Sequence, residues 1–215
     1  MKTIKFILIF SCYFLLGLQV KAQDLVMRKL TAKDKINKVH SAYEYNATDH
    51  YTVIKLCLYE NGTFYYTLKG FNQDIFSKGK WVQKGNTLVL TNSIRNGDIP
   101  IKLSYSKDSS VLINGFKVGI VKNLKGEEMP DGLVAINSDS VKCAPSYGIC
   151  DYGYSSIDSI KVIFENGLSS EWIKVSNKDY VQIIPVVQTN FLISSYMPFD
   201  SRKYQIQKTV LKPIN

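Results

Sequence analysis

Two histidines, His40 and His50, three cysteines past the N-terminal segment and a scatter of acids are the residues that could do chemistry in this chain. A Cys–His nucleophile would need one histidine beside Cys57, and nothing in the spacing demands it. Cys57 sits in an alternating apolar run, where a buried, inert thiol is the expectation. Cys143 and Cys150 are separated by six residues, not two, so thioredoxin-like redox chemistry is disfavoured. Zinc would need two more ligands, and no histidine lies near that pair in sequence. Glu127-Glu128 reads as solvated turn charge, and Asp139 and Asp151 flank the cysteine pair without the repeated acids of a calcium loop. The chain contains no Gly-x-Ser-x-Gly, phosphate loop, dinucleotide fingerprint or His-Glu-x-x-His. No catalytic residue, metal ligand or cofactor is therefore expected.

Compartment decides how the cysteines are read. Lys2 and Lys5 precede an almost unbroken apolar stretch, Phe6 to Leu18, and Val20-Lys21-Ala22 then offers tolerated residues for cleavage before Gln23. This is the three-part layout of a secretory signal peptide over residues 1–22. The apolar stretch of about 13 residues is short for a membrane span, which needs roughly 20. A lipoprotein signal with Cys12 as the lipidated residue is the alternative, but strongly apolar residues continue past it. Of 215 residues, 193 remain after residue 22, and no later stretch reads as transmembrane. The formal charge of +9 falls by three to +6, carried almost wholly by scattered lysines. The only arginines are Arg28, Arg95 and Arg202, so the arginine forks of nucleic-acid readers are scarce and no nucleic-acid partner is expected.

In an exported chain, a Cys143–Cys150 disulfide is expected, its loop bent by Pro145 and Gly148. Closing so small a loop contributes roughly 2–3 kcal/mol in the chain-entropy model. Tyr147, Tyr152 and Tyr154 crowd around it. Such rigid amphipathic rings either form a recognition surface for a sugar or a protein, or simply cover the bridge and one sheet end.

These residues must be positioned by strands. Ile54, Leu56 and Leu58 alternate, Asn61-Gly62 turns, and Phe64, Tyr66 and Leu68 continue with period two. Gly70 to Lys78 reads as a polar loop leading to Gly79-Lys80-Trp81-Val82. Gly85-Asn86 turns into Leu88 and Leu90, and Asn96-Gly97 turns into Ile99, Ile101, Leu103 and Tyr105. Four or five strands so spaced imply an antiparallel meander. Asp24 to Lys38 reads as a short helix or an irregular lead-in. Past a polar break at 106–110, Phe116, Val118 and Ile120 alternate. Residues 122–131 read as a charged turn-rich segment. Strands are expected at 133–136, 160–164, 172–175, 180–187, 191–194 and 203–207. The fold class is therefore all-β, with two antiparallel sandwich or barrel-like units at 23–107 and 108–215.

Leu56-x-Leu58, Gly62-x-Phe64-x-Tyr66, Gly79-x-Trp81, Gly85 and Leu88-x-Leu90 resemble the short lipocalin-like domains of exported bacterial proteins, over about residues 50–105. The resemblance implies a small barrel with the Trp81 ring at its end. Val118-Gly119-Ile120-Val121 to Gly126, then Gly132-Leu133-Val134, resembles the opening of carboxypeptidase-regulatory-like β-sandwiches, which implies a structural or interaction module. The expected function is a non-enzymatic binding or interaction module of the periplasm or cell surface, with an envelope protein, a glycan or a small apolar ligand as partner. A lipocalin-like carrier of a small apolar ligand and an envelope hydrolase with an unrecognised carboxylate site are the alternatives.

Overall fold

A computed structural model of the chain describes residues 23–47, 51–70, 74–107, 117–138, 142–147, 156–177, 179–199 and 201–214. The expected signal peptide lies outside the described residues. Six strands come first: β1 (Leu25–Met27), β2 (Val39–Asn46), β3 (Val53–Tyr59), β4 (Thr63–Lys69), β5 (Asp74–Lys84) and β6 (Thr87–Asn92). Seven follow: β7 (Ile101–Ser106), β8 (Lys122–Asn123), β9 (Gly132–Ile136), β10 (Lys142–Cys143), β11 (Ser159–Phe164), β12 (Ile173–Lys174) and β13 (Gln182–Val187). A final hairpin is formed by β14 (Arg202–Gln207) and β15 (Val210–Ile214). A short helix, α1 (Ala32–Ile36), joins β1 to β2. The molecule is all-β, as its alternation requires.

The first six strands and the last two form one closed antiparallel barrel of eight, in the order β1-β15-β14-β6-β5-β4-β3-β2. The alternation of β3 and β4 sends Ile54, Leu56, Leu58, Phe64, Tyr66 and Leu68 inward, where they are buried. Gly62, at φ +77°, makes the tight turn between them. Leu25, Tyr43, Leu88, Leu90, Tyr204 and Leu211 complete this core. The remaining strands make two smaller sheets, β10-β9-β11-β12 and β7-β13-β8. Both drain into a second core that includes Val134, Ile160, Val162, Ile183 and Val187.

Several sequence expectations need correction. Residues 74–78 are not loop but the first half of β5, because Asp74 to Ser77 pair with Lys69 back to Tyr66. Polar side chains hid this strand, although its outward Phe76 is packed against the second core. The strand after Asn96-Gly97 does not extend the meander: Ile101 to Ser106 pair with β13. The segment 122–131 contains β8, which runs parallel to β13, whereas the other pairings between the described strands are antiparallel. Phe191–Ser194 is not a strand; Ile193–Ser195 forms a 3-10 turn whose following Tyr196 bridges to Phe76. The sheets also do not follow the division expected at 107/108, since β14 and β15 return to the barrel while β7 leaves it.

The barrel and the inserted sheets are tied by specific bonds. Tyr196 donates its hydroxyl to the Lys78 carbonyl at 3.0 Å, and Asn92 Nδ2 donates to the Met197 carbonyl at 3.1 Å. The Met197 amide donates to the Phe76 carbonyl. Gly79 sits where β5 crosses closest to β6: a Cβ there would lie 2.0 Å from the Thr91 carbonyl oxygen. Gly79→Ala is therefore expected to lower the urea midpoint by an amount equivalent to about 2 kcal/mol or more. Gly85→Ala, at φ +58° in open space, is expected to cost only about 1–2 kcal/mol.

Candidate functional site

Three turns, at 60–62, 85–86 and 208–209, gather at one end of the barrel. The Trp81 amide donates to the Gly62 carbonyl, the Ile206 amide to Asn86 and the Met27 amide to Thr209. Between them opens a cavity of about 490 Å3. Tyr43, Leu58, Leu88 and Ile206 line its apolar part. Trp81 and His40 form one wall, their rings stacked at 5.5 Å and 23°. The indole Nε1 donates to the Tyr59 carbonyl at 3.0 Å, which fixes the ring. The Gly-x-Trp motif thus sets its ring at a barrel end, as the resemblance implies. Lys29 and Lys208 supply exposed cations at the rim. A larger, shallower groove of about 860 Å3 runs outside the barrel past Tyr65, Lys78, Lys80, Val82 and Arg95.

Arg28 also borders the mouth, but its charge is spent locally. It grips both carboxylate oxygens of Asp34, at 2.7 and 3.0 Å. Asp34 in turn accepts from the Thr31 amide and hydroxyl, while its own amide donates to Thr31 Oγ1, closing a capping box on α1. The guanidinium and these bonds hold the Asp34 carboxyl well below the usual carboxylate range. Cys57 lies half-buried on the outer face of β3, opposite Ala42. Burial pushes its thiol up, against the pull of Arg28, so it is protonated at neutral pH.

A second polar group lies inside the barrel. Arg202 pairs with Leu90 and Tyr204 with Leu88, so both share the inward face. The Arg202 guanidinium carbon stands 4.7 Å from the Phe199 ring centroid and 5.4 Å from that of Tyr66. The phenols of Tyr66 and Tyr204 are within reach of it. Burial pushes the Tyr204 phenol up to about 12, opposed by Arg202. Elsewhere, burial raises the Asp131 carboxyl, and neighbouring Glu165 adds to this. Among the described residues no group of three or more His, Cys, Asp or Glu could hold a metal ion. No described helix is long and apolar enough to cross a membrane.

Of the sequence-selected residues, only Tyr147 and Cys143 are among those described. Tyr147 ends the 3-10 turn Pro145–Tyr147, which follows the edge strand β10 and is fastened by Ser146 Oγ to the Pro130 carbonyl at 2.8 Å. Tyr152 and Tyr154 lie outside the described residues, as does Cys150. Cys143 is buried and pairs with Val134. Cys57 is a free cysteine among the described residues. Arg202 and Tyr204 were legible as inward-facing only through the Arg202-x-Tyr204-x-Ile206 alternation. His40 gave no sequence signal beyond its type. Comparison with protein-family models, curated proteins and solved structures gives no match.

Two pH effects follow. Asp34 has a depressed folded pKa, so its stabilisation is present above the unfolded value of about 3.9 and is lost as pH falls below it. Asp34→Asn should cost about 1 kcal/mol at pH 7 through the weakened cap, and that gap should close below pH ~4 in urea titrations. Tyr204 has a raised folded pKa, so its contribution is intact below the unfolded value of about 10 and lost as pH rises towards 12. Between those limits wild type should lose roughly 2–3 kcal/mol more than Tyr204→Phe.

Proposed function

We propose that this chain is an exported, non-enzymatic binding protein whose lipocalin-like barrel takes a small, mainly apolar ligand at its open end. The observation that carries this reading is the cavity of about 490 Å3 between Leu58, Leu88 and Ile206 and the Trp81–His40 wall. Ligand sites are commonly clefts of roughly 300–1,000 Å3 with apolar walls and few polar groups. A flat ring system would lie against the stacked indole and imidazole, while Lys29 and Lys208 would face any polar end turned to solvent. The export half of the proposal rests on the signal-like residues 1–22. The expected Cys143–Cys150 bridge belongs with it; Cys143 is buried, where a free thiol would be inert and a bridge protected.

Two tryptophans, Trp81 and Trp172, make the test direct. In a Trp172→Phe background, the neutral probe N-phenyl-1-naphthylamine should quench Trp81 emission with 1:1 stoichiometry. Adding Trp81→Ala or His40→Ala should weaken probe fluorescence titrations at least fivefold. Unchanged affinity in both variants would remove the mouth as the site. For the export half, intact mass of the secreted protein should begin at Gln23 and be two hydrogen masses lighter than the reduced form.

A further inference from the structure

On β5, Trp81 turns inward to the mouth, while Lys78, Lys80 and Val82 alternate onto the outer wall of the barrel. Lys78 lies opposite Tyr65 on β4, and Lys80 lies between Thr63 on β4 and Thr91 on β6. This face lines the groove of about 860 Å3. A second recess of about 560 Å3 shares Thr91 and Arg95 with it, so the groove continues past β6. Aromatic rings brace one side. Tyr65 is 39 % exposed and stacks on Phe76 at 5.7 Å, and Phe76 meets Phe191 edge-on at 5.0 Å. Lys78 Nζ stands 4.6 Å over the Phe191 ring. The ion pairs among the described residues take up Arg28, Lys69, Lys107, Lys122 and Lys125, and none takes up Lys78, Lys80 or Arg95. Among the described residues no acid lines the groove, and Asp98 in the adjoining recess makes no ion pair with Arg95. Scattered lysines ordinarily only keep a surface soluble, but three unneutralised cations along one concave wall focus a positive field into it.

We infer that this outer groove binds an acidic polysaccharide, with Lys78, Lys80 and Arg95 meeting its anionic groups and Tyr65 its sugar rings. A shallow groove on an outer wall takes a chain rather than an enclosed small molecule. Its lining offers cations, the hydroxyls of Thr63, Thr91 and Ser93, and an exposed phenol ring. An acidic sugar chain brings the matching set: carboxylates or sulfates, hydroxyls, and apolar C–H faces that rest on an aromatic ring. Lys78 and Lys80 stand roughly 6–7 Å apart along β5, two residues on one face, so they reach separate anionic groups. Lysine suits this, being a compact charge with rotatable donors that needs no fixed fork. An acidic peptide fits less well. β5 is paired on both sides, by β4 and β6, and so offers no main-chain edge to an added strand. A single-stranded nucleic acid needs successive platforms for its bases, and of the described rings here only Tyr65 is exposed. The groove lies across the barrel wall from the mouth, so the two readings stand or fall separately.

The test titrates the purified protein by calorimetry with polygalacturonate, its fully methyl-esterified form, dextran sulfate, dextran, poly-L-glutamate and oligo-dT. Polygalacturonate or dextran sulfate should bind at least tenfold tighter than the two uncharged polymers, and the tighter of the two identifies the acid group. Lys78→Gln, Lys80→Gln and Arg95→Gln together should abolish that preference. Removing three charges elsewhere, with Lys33→Gln, Lys174→Gln and Lys212→Gln, should leave it within twofold. Tyr65→Ala should weaken the acidic polysaccharide at least threefold without weakening poly-L-glutamate, because the ring meets sugar faces and not charge. If the groove triple variant does not fold, the double variant at the exposed Lys80 and Arg95 takes its place. No binding of either acidic polysaccharide would overturn the proposal. Equal losses in the groove and control triple variants would also overturn it, by reducing it to net charge. Tighter binding of poly-L-glutamate or oligo-dT would give the groove to another class of partner.

Discussion

The structure depends on one pairing: the last strand of the chain against the first. Leu25 lies opposite Leu211 and Val26 opposite Val210, while on the other side of the same hairpin Arg202 to Gln205 pair with Leu90 to Thr87. Without this hairpin the sheet would present two open edges, each a row of unpaired amides and carbonyls. With it, the inward faces of eight strands enclose a core and no edge remains. The inserted sheets obey the same constraint. They leave after β6 and re-enter at β14, its neighbour in the barrel, so the excursion begins and ends beside itself. Tyr196 and Asn92 fasten it there.

Two arginines show how differently one side chain can be used in such a fold. Arg28, outside the barrel, meets a carboxylate that is itself locked into a helix cap, and its charge serves the connection between β1 and β2. Arg202, inside, meets rings and phenols. The first arrangement is electrostatically closed. The second offers more donors than acceptors, and it lies one residue pair deeper than a cavity already walled by apolar side chains. A barrel end with an aromatic wall and an interior cation is a graded environment, apolar with a single positive point.

What could be read from the residues alone follows from local signal strength. β3, β4, β6 and β11 were legible because strict alternation ran into Asn-Gly or Gly-Asn turns. β2 was not, because a bulge between Val39 and Ser41 breaks its period. β15 carries Pro213, which argues against a strand unless its partner tolerates the missing donor. β1 has three residues and no period to detect. Barrel closure itself was beyond reach, since pairing of residues 25 and 211 leaves no local trace. The tyrosines near Cys143 drew attention by density. The inward tyrosines and Arg202 did not, because alternation puts Arg-x-Tyr on one face of β14 but only the pairing with β6 shows that face to be the inner one.

Closure by the two chain ends also sets an order of events. The inserted core is made of contacts within residues 94–196, and these can form among neighbours as soon as that length is free. The barrel cannot, because its sheet stays open until residues 202–214 arrive. Loop-closure entropy over such a separation slows the final pairing, and contact order of this kind lengthens the time spent incomplete. During that interval β1 and β6 each keep one edge open as a template. A ribosome or a translocation pore that withholds the C-terminal hairpin would therefore keep this polypeptide unfinished, whatever the rest of it has already built.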